Sequence, residues 1–144
     1  MIQIMTAVRD YLEAERVSGN LPGVSSVKLY DDLLEPSSAY PLVTVDWESE
    51  TFLGQPDARV GCVLRVSAYV VSATKGRSPQ EHLSEIYQPS DSTKGLRAVL
   101  LGFPPRGFAF FPREARKVSR KERGNAFFTV GLSVVCEVKT LVRR

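Results

Sequence analysis

The chain has 144 residues, 43% of them hydrophobic, with a formal charge of +3 and a pI near 9.0. Domains cluster near about 100–150 residues, so one domain over residues 1–144 is expected, large enough to bury a core. No apolar run approaches the roughly 20 residues that span a bilayer, and Met1-Ile2-Gln3-Ile4-Met5-Thr6 has no basic stretch leading into an apolar one, so no membrane or secretory role is expected and the cytoplasm is the default site of synthesis.

Residues 2–16 predict an amphipathic helix, with Ile4 or Met5 joined by Val8 and Leu12 on one face. Ser18-Gly19-Asn20 ends it, and Leu21-Pro22-Gly23 turns the chain. Val24–Tyr30 is a short strand with Val27 and Leu29 on one side, and Glu35-Pro36-Ser37-Ser38 is a loop. Tyr40–Trp47 is a second strand, in which Val43, Val45 and Trp47 alternate and Pro41 is tolerated near the start. Glu48–Arg59 is polar and reads as a long hairpin connection or the flexible tip of an extended hairpin.

A long strand follows to Ala73, with Val60, Cys62, Leu64, Val66, Ala68 and Val70 on one face. Ser78-Pro79-Gln80-Glu81 has the form of a helix start, with Ser as N-cap, Pro at N1 and Glu at N3; that helix runs to about Tyr87. Ser90 or Asp91 caps another helix through about Leu101, stopped by Gly102-Phe103-Pro104-Pro105. Phe108–Phe111 is a short apolar segment, and Arg113–Arg123 is a charged strand or arm. Gly124-Asn125 turns into the last long strand, where Phe128, Val130, Leu132, Val134, Cys136 and Val138 alternate; Arg143 and Arg144 fray.

A period of two implies one buried face and one available face. The two long runs are twice the usual five to six residues of a strand, so their ends are expected to project beyond a core this small and to meet another subunit. The fold class is α+β: a mostly antiparallel, mixed and twisted sheet, an N-terminal helix and a second helix on one face, and an extended β-hairpin.

Catalytic chemistry has little support, and the chain is read as not an enzyme. His82 stands alone in a polar helix and reads as a solvated histidine. The acid pairs Asp31-Asp32 and Glu48/Glu50 fall in turns and strand ends, where carboxylates are ordinarily solvated. Cys62 and Cys136 lie on apolar strand faces and read as buried, reduced thiols. With one histidine and no Cys-x-x-Cys spacing, no metal site is expected, and isolated glycines give no phosphate loop or cofactor site.

The basic segment Arg113–Arg123 is the one concentration of charge, with six cations and two acids. Such a segment fits contact with phosphates or with an acidic protein face. It also fits a solvated edge strand whose charges prevent aggregation. No aromatic side chain lies within it, which argues against single-stranded nucleic acid. The candidate interface residues are Arg113, Arg116, Lys117, Arg120, Lys121 and Arg123, with Glu48, Glu50, Phe52 and Arg59 around the hairpin tip.

The order of elements resembles the tail terminator proteins of long-tailed bacteriophages, the group that includes the lambda minor tail protein U. The resemblance rests on the helix Ile2–Arg16, the strand Val24–Tyr30 and the segment AYPLVTVDWES (Ala39–Ser49). It continues through GCVLRVSAYVVSA (Gly61–Ala73), SDSTKGLRAVLLGF (Ser90–Phe103) and FFTVGLSVVCEV (Phe127–Val138), with Lys75–Pro89 as an insertion. It implies a virion structural protein of the phage neck, assembled in the host cytoplasm, whose ring, hexameric in that group, caps the tail tube and ends its polymerisation. The implied partners are further copies of the chain, the tail tube protein and the head–tail connector or stopper. Genomic DNA would pass through the lumen without sequence-specific contact. The resemblance supplies no catalytic residue. Two other readings remain open: another neck protein such as a head–tail stopper, and a small binding module that uses residues 113–123 on nucleic acid or an acidic partner.

Overall fold

The two long alternating runs pair with each other. In the computed structural model β3 (Arg59–Val71) and β5 (Phe127–Leu141) lie antiparallel, with Leu64 opposite Cys136 and Val66 opposite Val134. The structure describes residues 2–30, 39–51, 59–71, 78–123 and 127–141, with the backbone alone for 59, 60, 119–123, 127, 128 and 141. β2 (Leu42–Thr51) runs antiparallel along the other side of β3, and β1 (Ser26–Leu29) runs parallel to β2. β4 (Ala109–Arg123) pairs antiparallel with β5, giving the order β1-β2-β3-β5-β4. This is the expected mixed sheet of an α+β fold.

Three helices, one in each stretch where the sequence predicts a helix, pack on one face. α1 (Ile2–Val17) buries Met5, Val8 and Leu12, so the stripe begins at Met5, and Ile4 is only partly buried. Asn20 N–H to Glu15 C=O and Gly19 N–H to Arg16 C=O close the helix, with Gly19 at φ +85°. α2 (Pro79–Tyr87) starts as its sequence demands, with the Glu81 N–H donating to Ser78 Oγ at 3.2 Å. It buries Leu83 and Ile86 against β3 and β5, so part of the stretch read as an insertion belongs to the core.

α3 (Leu96–Leu101) begins later than either predicted cap. The Asp91 carboxylate is engaged locally, accepting from the Thr93 N–H at 3.0 Å and hydroxyl at 2.6 Å. Gly95 then sits at φ +95°, where a Cβ would lie 2.4 Å from Pro89, so the helix starts only beyond it. Its N–H bonds to Asn20 C=O at 2.9 Å, tying this turn to the end of α1.

The helices meet Val43, Val45, Leu64, Val66, Val134 and Cys136 in one apolar cluster. Fully burying a side chain of this size contributes about 1.5–3 kcal/mol. Tyr11 joins the layers, donating its hydroxyl to Val99 C=O at 2.8 Å and standing edge-on to Phe103 at 4.9 Å; Phe103 meets Phe110 of β4 at the same distance.

Three expectations are corrected. Glu48–Thr51 continue β2 as strand and are no hairpin tip, because the bulge between Trp47 and Ser49 lets the ladder resume at Ser49 opposite Val63. The apolar segment at 108–111 and the charged arm after it form a single strand from Ala109 onward. The second sheet face is not simply available: Thr44, Ser67, Tyr69, Thr129 and Ser133 are buried there. Asp31-Asp32 and the tips at 52–58 and 124–126 lie outside the described residues, as do Arg143 and Arg144.

Candidate interaction surface

β4 is the outermost strand, bonded to β5 on one side, with no strand on its other side among the described residues. At 15 residues it is far longer than the usual strand of about five to six. Its start is anchored by Phe110, which is buried, and the rest is held by the ladder to β5.

Two register shifts interrupt that ladder, between Pro112 and Glu114 and between Val118 and Lys121. The first leaves Arg113 as the extra residue. Beyond it Glu114, Arg116 and Val118 stand opposite Val135, Ser133 and Gly131, on the face away from the helices, while Ala115 and Lys117 lie on the helix side. Bulges, an edge proline and charges of both signs are the devices that stop an exposed edge from pairing with another sheet.

The charges are organised by short pairs. Arg113 Nε donates to Glu137 Oε2 at 2.8 Å, and its guanidinium lies 5.0 Å from the Phe111 ring centroid. Arg116 Nη2 donates to Glu114 Oε2 at 3.0 Å. That hydrogen bond holds the Glu114 carboxyl below its ordinary range and the Arg116 guanidinium above its own, with a smaller contribution to Arg116 from Glu48. Lys117 is exposed and makes no ion pair among the described residues. Arg120, Lys121 and Arg123 continue the strand backbone, Lys121 opposite Thr129 and Arg123 opposite Phe127, and their side chains lie outside the described residues.

Glu48 is brought to this same face. Its Oε1 lies 3.6 Å from Arg65 Nη1, and its field reaches Arg116. Glu50 stands opposite Cys62 on the helix side, exposed at the end of β2. The structure therefore separates the two acids that the sequence groups together. Arg59 opens β3 opposite Leu141, with its side chain outside the described residues, as is Phe52 altogether.

Under the charged row lies a polar floor that alternation alone does not reveal. Ser67 and Ser133, directly opposed, share a hydrogen bond of 2.6 Å, and both are buried. Next to them the Tyr69 ring covers Gly131, where an added Cβ would come within 2.8 Å of it. The signal was present as small residues at matched positions of two paired strands. It becomes readable only once the register is known.

Apolar surface adjoins the charged edge. Leu101 is 57% and Phe111 39% exposed, and a groove of about 190 Å³ between α3 and β4 is lined by Tyr87, Arg97, Leu101, Arg113 and Glu114. His82 corrects another expectation: it is half-buried, its Nδ1 is buried with no hydrogen-bond partner among the described residues, and it lines a separate groove of about 470 Å³ with Ser84, Glu85 and Gln88.

Neither thiol is an available nucleophile. Both cysteines are buried and free; burial pushes the Cys62 thiol up and the Cys136 thiol up to about 12. Among the described residues no three or more His, Cys, Asp or Glu gather as metal ligands, and no helix is long and apolar enough to cross a membrane. The arrangement suits side-chain recognition of a charged protein surface, with an apolar margin.

Compared with known proteins, the chain matches no family model, and no curated protein is similar to it in sequence.

Proposed function

We propose that this chain is a structural subunit of the phage neck: a tail terminator whose copies form a ring, hexameric as in the group it resembles, that caps the tail tube and stops its growth. The observation that carries the reading is the long edge strand β4, charged and bulged, beside a one-sided helix layer. Such an edge resists indiscriminate strand pairing and leaves contact to side chains, as a closed assembly of defined size requires. A ring of heterologous contacts uses up its own edges and offers the tube one matching face. In this reading the chain carries out no catalytic step and needs no cofactor. Its partners are further copies of itself, the tube protein and the connector, with DNA passing through the lumen and read by no base contact.

The test is complementation of a long-tailed phage whose terminator gene is deleted by this chain together with its own tube protein, with tail lengths read in negative stain. Tails of uniform length ending in a ring are expected. Tubes of unregulated length would overturn the terminator reading. Normal tails that fail to join heads without this chain would instead make it a stopper.

A further inference from the structure

Charge is divided along this chain in a way that the sheet order turns into a spatial dipole. Residues 1–51, which form α1, β1 and β2, hold three basic and nine acidic side chains, a formal charge of −6. Residues 109–144, which form β4 and β5, hold nine basic and three acidic ones, a formal charge of +6. Counting only described side chains, without Asp31, Asp32 and Glu35 in the first segment and without Arg120, Lys121, Glu122, Arg123, Arg143 and Arg144 in the second, the charges are −3 and +2. In the order β1-β2-β3-β5-β4 these segments occupy opposite edges of one sheet, and α1 packs on β1 and β2 at the acidic edge.

We propose that copies of this chain join head to tail, the basic β4 edge of one against the acidic α1–β2 edge of the next. The inference deepens the ring reading above and rests on it. On the acidic side Asp10 is exposed and Glu13 half-exposed on α1, and Glu50 is exposed on β2. Glu48 is engaged with Arg65 inside the protomer, and Asp10, Glu13, Arg113 and Arg116 likewise pair with Arg9, Arg16, Glu137 and Glu114; such exposed pairs are weak and can exchange partners. On the basic side Arg113, Arg116 and Lys117 are exposed along β4. Two different patches meet, so the contact is heterologous and repeats from copy to copy. Complementary edges also steer the encounter, and like edges repel, which fixes the direction of assembly.

The test uses the full chain and two charge-reversed variants. One carries Arg113→Glu, Arg116→Glu and Lys117→Glu, making both edges acidic. The other carries Asp10→Lys, Glu13→Lys and Glu50→Lys, making both edges basic. Circular dichroism melts establish that each is folded; any variant that is not is replaced by its Arg116→Glu or Glu50→Lys single change. Association is followed by sedimentation velocity and native mass spectrometry. Wild type is expected to form assemblies larger than a dimer that weaken with salt. Each variant alone is expected to associate at least about tenfold more weakly, and an equimolar mixture to restore assemblies in which the two alternate. Folded variants that assemble alone like wild type, or a mixture that stays monomeric while wild type assembles, would overturn the edge-to-edge contact and leave the ring reading standing on other contacts. Association that stops at two copies would overturn the head-to-tail arrangement. A wild-type chain that stays monomeric at every salt concentration overturns the inference, and the tail-length assay then decides the terminator reading by itself.

Discussion

Gly131 is where one atom matters most. It stands opposite Tyr69 on one side and Val118 on the other, and an added Cβ would lie 2.8 Å from the Tyr69 ring and 3.2 Å from Val118 Cβ. The ring is buried and has little room to move. Gly131→Ala is therefore expected to destabilise by about 1–3 kcal/mol, as overpacking in a filled interior does. Urea unfolding should report a lower midpoint with an unchanged slope, and an unchanged midpoint would mean the ring is free to swing away. Cys136 allows a test by pH. Its thiol rises from an ordinary 9.0 to about 12 through burial, so the folded state favours the neutral form. That contribution is complete below pH 9 and is lost as pH rises toward 12, because the unfolded chain ionises first. Wild type should lose stability across that window faster than Cys136→Ala does. Parallel curves would show that the thiol titrates normally. The burial of Cys136 was legible in the alternation of its strand, whereas Gly131 looks like a weak point in a strand until Tyr69 is placed opposite it.

At the scale of elements, what was legible followed from local rules. The period of two in β3 and β5 gave their inward faces, and Ser78-Pro79-Gln80-Glu81 gave the start of α2, because both depend on neighbours a few residues away. What was not legible depended on distant partners. Asp91 satisfies Thr93 in place of starting a helix, and the Trp47/Ser49 bulge carries β2 on through residues that look like a loop. The candidate surface divided in the same way: the charge of β4 could be read from composition, but its pairs with Glu137 and Glu114 needed the register. The inward faces give a direct prediction. Val66 is fully buried in the centre of β3, so Val66→Asp leaves an unpaired carboxylate in the core, costing several kcal/mol against a total stability of roughly 5–15 kcal/mol. No folded protein is expected, and a cooperative melt at the wild-type temperature would show the strand to be out of register by one. Leu132 is only partly buried, so Leu132→Asp should be milder, weakening the fold without abolishing it.

For the whole molecule, the question is whether the basic edge contributes to assembly or merely keeps sheets apart. Both roles use the same residues, and they differ in what happens when charge is removed without being reversed. Replacing Arg116, Lys117, Arg120 and Lys121 by glutamine keeps length and polarity along β4. Exposed charges away from special features typically matter by less than about half a kcal/mol each, and solvent screens an exposed pair such as Arg116 with Glu114. The protomer should therefore melt close to wild type. Its association should be weaker at low salt and nearly insensitive to added salt, whereas wild type should weaken as the Debye length contracts from about 10 Å at 0.1 M. Light scattering across a salt series measures this, and complementation of a terminator-deficient phage measures its consequence. If the neutralised chain associates and complements like wild type at every salt concentration, β4 acts only as a guard against aggregation. The exposed apolar margin at Leu101 and Phe111 beside β4 is then the next surface to test: mutation of both to Ser should weaken association, with salt having little effect.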